Sequence, residues 1–106
     1  MKIIWSEFAG DMLKETYLYH KKVAGASIAK KITFRIFSSA KQLKQHPYSG
    51  QIEPNLEVLN EGHRYLISGH HKVVYKKVSE GILITDIFDT RQDPSKINNP
   101  ERKAGK

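Results

Sequence analysis

Between Arg64 and Pro94 the sequence reads RYLISGHHKVVYKKVSEGILITDIFDTRQDP, and most residues able to do chemistry lie there. Arg64, His71, Lys72, Lys76 and Lys77 are threaded through apolar runs, and Arg91 follows the last of them. Cations set on a sheet suit an anionic partner, either phosphate or carboxylate. Lys72 interrupts an apolar run just before Val73-Val74-Tyr75. One reading is an ion pair with Asp86 or Asp89, which if exposed contributes at most ~1 kcal/mol. The other is a cation aimed at a phosphate or a carboxylate. Arg91, in Asp89-Thr90-Arg91-Gln92-Asp93-Pro94, suits bidentate anion recognition or a bridge to Asp89 or Asp93.

His71 is either a proton-transfer group, because its ordinary pKa is near neutrality, or a surface histidine beside a turn. His70 and His71 do not make a metal pair: adjacent strand residues point to opposite faces, and no carboxylate joins them at a helpful spacing. No metal or other cofactor is expected. No serine nucleophile motif, phosphate-gripping glycine loop or paired-carboxylate arrangement is present. Catalysis, if any, would be metal-independent phosphoryl chemistry. A base would take a ribose 2′-hydroxyl proton, cations would stabilise the crowded phosphate, and an acid would protonate the leaving oxygen.

These residues need a scaffold, and the pattern supplies one. Leu66, Ile67, Val73, Val74, Ile82, Leu83, Ile84, Ile87 and Phe88 are β-branched, aliphatic or aromatic residues that predict strands at about Arg64–Ser68, His71–Val78 and Ile82–Phe88. If the Gly69-His70 turn pairs Ser68 with His71, then Arg64, Leu66, His71, Val73 and Tyr75 share one face. Tyr65, Ile67, Lys72, Val74 and Lys76 share the other; neither set is purely apolar, so one face is expected under the helices and the other to be a partly polar, concave surface. Upstream, Lys2–Trp5 predicts a strand and Ser6 a helix cap. A stripe at positions 8, 9, 12, 13, 16, 19 and 23 predicts a buried helical face, ended by Gly25. Ser27 is expected to cap a second helix with Ile28, Ala29, Ile32, Ile36, Ala40 and Leu43 inward. His46-Pro47-Tyr48-Ser49-Gly50 stops it. Gln51–Asn55 reads as loop and Leu56–Leu59 as a short strand. The fold class is α+β: an N-terminal strand and an antiparallel helical hairpin packed on a small antiparallel sheet. The domain is expected at 1–97, with a polar basic tail at 98–106 that frays.

The chain has 106 residues, 39% hydrophobic and 27% charged, which suits one domain with one modest core. There is no apolar run of the ~20 residues a membrane span requires. Glu7 falls where a secretory signal would need apolar residues, and the absence of cysteine suits a reducing compartment. A cytoplasmic protein without a membrane partner is expected. The formal charge of +7 favours polyanionic or acidic partners.

Ser6, Ala9, Met12, Leu13, Pro47 and Gly50 combine with Arg64-Tyr65-Leu66, Ser68-Gly69, Lys72-Val73-Val74-Tyr75 and Ile87 to Pro94 in a recognisable order. Over roughly residues 2–97 the chain resembles the RelE/ParE superfamily of type II toxin–antitoxin toxins, the plasmid-stabilisation type. The resemblance implies a growth-inhibiting toxin neutralised by a cognate antitoxin, which wraps it with a helix and an extended segment in a toxin–antitoxin hetero-oligomer. RelE-like members cut mRNA in the ribosomal A site; ParE-like members poison DNA gyrase. In a cutting enzyme Lys72, Arg91 and Arg64 would be the catalytic candidates. Arg64, His71, Lys72, Lys76 and Arg91 are the candidates for target or antitoxin binding. Cutting members commonly place a tyrosine about two helical turns after the second arginine; here Ser95-Lys96-Ile97-Asn98 has none. The ending Arg91-Gln92-Asp93-Pro94 is similar to the ParE side, so the gyrase-binding reading leads. A RelE-type endoribonuclease, or an inactive homologue acting as a binding module, is the alternative.

Overall fold

A computed structural model describes residues 1–102. Strand β1 (Lys2–Trp5) leads into helix α1 (Glu7–Ala24) and helix α2 (Ala26–Lys41). Strands β2 (Gln51–Ile52), β3 (Arg64–Ser68), β4 (His71–Val78) and β5 (Gly81–Asp89) follow, with 3₁₀ segments at Pro54–Leu59 and Pro94–Asn98. The sheet order is β1-β5-β4-β3-β2. All pairings are antiparallel except β1 with β5, which run parallel. The α+β expectation holds, with that one parallel edge.

Ser6 caps α1 as expected, its Oγ accepting from the Ala9 amide at 3.0 Å. Its own amide donates to the Ile84 carbonyl at 3.0 Å, so strand end and helix start are fixed together. Gly25, at φ 93°, closes α1 and also stands at the N-cap of α2. The expected cap at Ser27 is therefore corrected: Ala26 already lies in α2, and Gly25, tolerant of positive φ, joins the helices alone. The core draws on Ala9, Met12 and Leu13 of α1 and on Ile32, Ile36 and Ala40 of α2, against Val73, Tyr75, Ile82, Ile84 and Ile87. Tyr19, Val23 and Ile28, expected inward, are exposed instead. Val23 and Ile28 flank the turn of the hairpin, whereas Tyr19 lines a cavity beside His71 and Asp89 at the sheet's edge.

Ser68 pairs with His71 as expected, so both predicted strand faces are correct. Between β4 and β5 the register shifts after Val74, which faces Asp86, whereas Tyr75 faces Ile84. Thr85 is the extra residue, a β-bulge. The sheet face away from the helices is not the partly polar, concave surface expected. Leu56, Val74, Phe88 and Ile97 form a second core there, with Leu59 and Tyr65 against it. The two 3₁₀ segments provide this cover. Leu56–Leu59 is thus not a strand: Pro54 opens the segment, and the Glu53 carboxylate accepts from the Asn55 amide at 3.2 Å. The expected loop at Gln51–Asn55 instead begins with β2, paired to Tyr65 and Arg64. The second core includes Ile97, and Arg102 beyond it contacts Asp86. Residues 103–106 of the expected tail lie outside the described residues.

Gly81, at φ 148°, lies where β1 and β5 meet, and a Cβ there would fall 2.2 Å from the Lys2 carbonyl oxygen. Gly81→Ala is expected to lose at least about 2 kcal/mol in urea unfolding, by forcing β1 off the sheet. Wild-type stability in this variant would contradict the β1–β5 contact.

Candidate functional site

Strand alternation places the candidate cations on both faces and near both ends of the sheet, and each meets a partner. Lys72, opposite Phe88 on β5 and Ile67 on β3, sends its ammonium to Glu53 Oε2 at 2.7 Å and lies 4.2 Å from the centre of the Tyr65 ring. Glu53 is fully buried. The partner is therefore neither Asp86 nor Asp89, and the pair is not exposed. A buried carboxylate needs a compensating cation, so Lys72 serves as counter-ion to the turn that carries the second core.

Lys76, on the same face, pairs with Glu61. That contact holds the Glu61 carboxyl below its usual value, chiefly through the hydrogen bond. Arg64 reaches Tyr48 and the Gly50 carbonyl, donating to the latter at 2.9 Å. The Gly50 amide donates to Tyr75 Oη at 3.0 Å. A Cβ at Gly50 would lie 2.6 Å from that oxygen, so this peptide is clamped between Arg64 and Tyr75 and only glycine fits. Lys77 and Arg64 both lie over Tyr48, at 5.6 and 5.4 Å. These cation–aromatic contacts leave an exposed basic surface at that edge.

His71 is buried and not the surface histidine expected. Its ring meets His20 of α1, 5.8 Å between centres. Burial, more than any other influence, pushes its pKa down, while the Asp89 charge opposes this. His20 donates from Nδ1 to the Thr16 carbonyl at 2.8 Å, because only a protonated ring nitrogen can bond a carbonyl. The two rings line a cavity of about 210 Å³ with Glu15, Tyr19, Asp89 and Arg102. His63 is also buried, and neither ring nitrogen has a partner among the described residues. Its pKa is likewise lowered, first by burial. No group of three or more metal-ligating side chains occurs among the described residues.

Arg91 grips Asp89 with two bonds, at 3.0 and 2.7 Å, and is itself largely exposed. The bridge to Asp89 expected from sequence is present. Asp93 instead caps the following 3₁₀ segment through Ser95. Lys72, Arg91 and Arg64 do not converge on one point: each faces its own acceptor. Glu53 and Arg102 were not expected from the sequence, and Asp86, named there only as a partner for Lys72, is bound by Arg102 instead. Asp86 was detectable as a lone acid inside an apolar strand, whereas Glu53 gave only a carboxylate before a proline.

Along the outer side of the hairpin, Leu13, Thr33, Phe34 and Phe37 line an apolar groove of about 600 Å³ flanked by Lys30 and Lys31. Phe34 is 70% exposed, which a lone folded chain gains nothing by displaying. Among the described residues no helix is long and apolar enough to cross a membrane.

A family model described as "ParE toxin of type II toxin-antitoxin system, parDE" matches residues 3–94. No curated protein matches the chain. Among solved structures, a chain of the "Chromosomal ParDE TA system from P. aeruginosa" is similar in fold, with a TM-score of 0.72. The two are 24% identical, over 84% of this chain and 95% of that one.

Lys72→Ala strands the Glu53 carboxylate and is expected to cost about 3 kcal/mol or more in urea unfolding. A loss below about 1 kcal/mol would leave Lys72 free for another role. The Arg91 guanidinium holds the Asp89 carboxyl down at about 2. A carboxyl lowered by folding stabilises above its unfolded pKa, and this gain disappears as pH falls through the folded value. In Arg91→Ala the Asp89 carboxyl, followed by NMR titration, is therefore expected back in the usual carboxylate range. The stability deficit of the variant should be largest at pH 5–7 and close as pH approaches 2.

Proposed function

This chain belongs to the ParE toxin family of type II toxin–antitoxin systems, and from that premise we propose that it arrests growth by docking on DNA gyrase. We propose also that a cognate antitoxin neutralises it by covering the hairpin groove. The observation that carries the docking reading is the state of the cations. Lys72, Lys76 and Arg91 are neutralised by Glu53, Glu61 and Asp89, and Arg64 holds a backbone carbonyl. They are committed to positions across the sheet, whereas phosphoryl chemistry would need them gathered on one phosphate. The segment after Arg91 offers Ser95 and Lys96, with no tyrosine to move a proton.

The apolar groove flanked by Lys30 and Lys31 supports an antitoxin helix with apolar residues on one face and acids at its borders, a helix-in-groove mode. Basic flanks also speed association with an acidic partner, and that advantage falls with salt.

Plasmid supercoiling by purified gyrase tests the target. Saturating protein is expected to inhibit it, with growth arrest and DNA-damage signalling on expression; normal supercoiling at saturation would reject gyrase. Phe34→Glu is expected to weaken antitoxin binding by at least tenfold while the free protein stays folded. Unchanged affinity would move the antitoxin elsewhere.

A further inference from the structure

β1 covers β5 only along Gly81–Ile84, so among the described residues the edge of β5 from Thr85 to Asp89 lacks a strand neighbour on that side. Asp86 sits on this open stretch, fully buried, with a carboxylate that must be compensated. Among the described residues its only side-chain partner is Arg102. That guanidinium donates to the two carboxylate oxygens at 2.7 and 3.2 Å and reaches the Ile87 carbonyl at 3.5 Å. It also lies 5.4 Å from the Phe8 ring centre and 5.0 Å from that of Phe88. Fork, buried carboxylate and two aromatic rings are the elements of a guanidinium site.

The walls and the plug differ in origin. Phe8, Asp86 and Phe88 lie within the family-matched residues 3–94, whereas Arg102 lies outside them. Between buried Ile97 and Arg102 the chain is exposed. We propose that Asp86, Phe8 and Phe88 form a receptor for a guanidinium group, filled in the free chain by the chain's own Arg102, and open to an arginine side chain when that segment leaves. Arg102 then acts as an internal ligand that seals the bare edge of β5. Burial pushes the Asp86 carboxyl up, and Arg102 pulls against this. The receptor binds only the ionised carboxylate, so its affinity for guanidinium rises with pH.

Chemical rescue of full-length Arg102→Ala tests this without reference to toxicity. The variant is expected to melt on the order of 10 °C below wild type. Methylguanidinium chloride in the millimolar range should restore Tm saturably, more at pH 8 than at pH 5, while methylammonium chloride should not. Wild type and Arg102→Ala with Asp86→Asn should show no such gain. A folded Arg102→Ala without saturable recovery, or equal recovery in the double variant, would overturn the receptor. If Arg102→Ala does not fold, Arg102→Lys keeps the charge and loses the fork. A wild-type Tm in Arg102→Lys would overturn the proposal, and a lowered Tm raised by methylguanidinium would support it.

Discussion

A sheet rich in lysine and arginine can be covered on both faces only where each covered cation meets an anion. Lys72 and Glu53 show the requirement most plainly, 2.7 Å apart with Glu53 fully buried. The pair ties the start of β4 to the turn before Pro54, and that turn starts the 3₁₀ segment carrying Leu56 into the second core. Without the pair the turn would bury a carboxylate held only by the Asn55 amides, at a cost that is a large fraction of a small domain's stability. On the neighbouring strand β5, Asp86 and Arg102 repeat the arrangement with the signs reversed, the acid on the strand and the base beyond the covering segment.

This constraint divides what the sequence made legible from what it hid. Alternation and β-branched residues located β3, β4 and β5, and the Gly69-His70 turn set the register of β3 on β4, because a one-residue slip would move every side chain to the wrong face; the bulge between β4 and β5 left no such mark. Ser6 and Gly25 marked the ends of α1 through chemistry local to those residues. The second core was not readable. Its cover comes from two short segments begun by prolines, whose apolar residues are too few to show a period, and Leu56–Leu59 therefore resembled a strand. The partner of Lys72 was hidden for a related reason: Glu53 is nineteen positions upstream, and nothing local relates the two. His71 looked like a surface group because it adjoins a turn; the α1 side chain that covers it, His20, is far away in sequence.

The same division bears on function. Residues that appeared to be gathered cations turn out to be dispersed counter-ions, and the uncompensated features lie elsewhere. Those are the apolar groove of the hairpin, with Phe34 and Phe37, and the basic edge where Arg64 and Lys77 flank Tyr48. The buried charge of this ParE-family chain holds the sheet's covering segments in place, and the two uncompensated surfaces are the features that support the docking reading proposed above.

The central claim is that Lys72 is a structural cation, and replacing both partners at once tests it most directly. Lys72→Met combined with Glu53→Gln removes both charges while keeping similar volumes, and such paired replacements are often neutral for stability. Growth arrest on induced expression, compared at equal soluble protein, is the measurement. The account predicts that the double variant arrests growth as wild type does. A folded double variant that no longer arrests growth would contradict it and return Lys72 to the functional site.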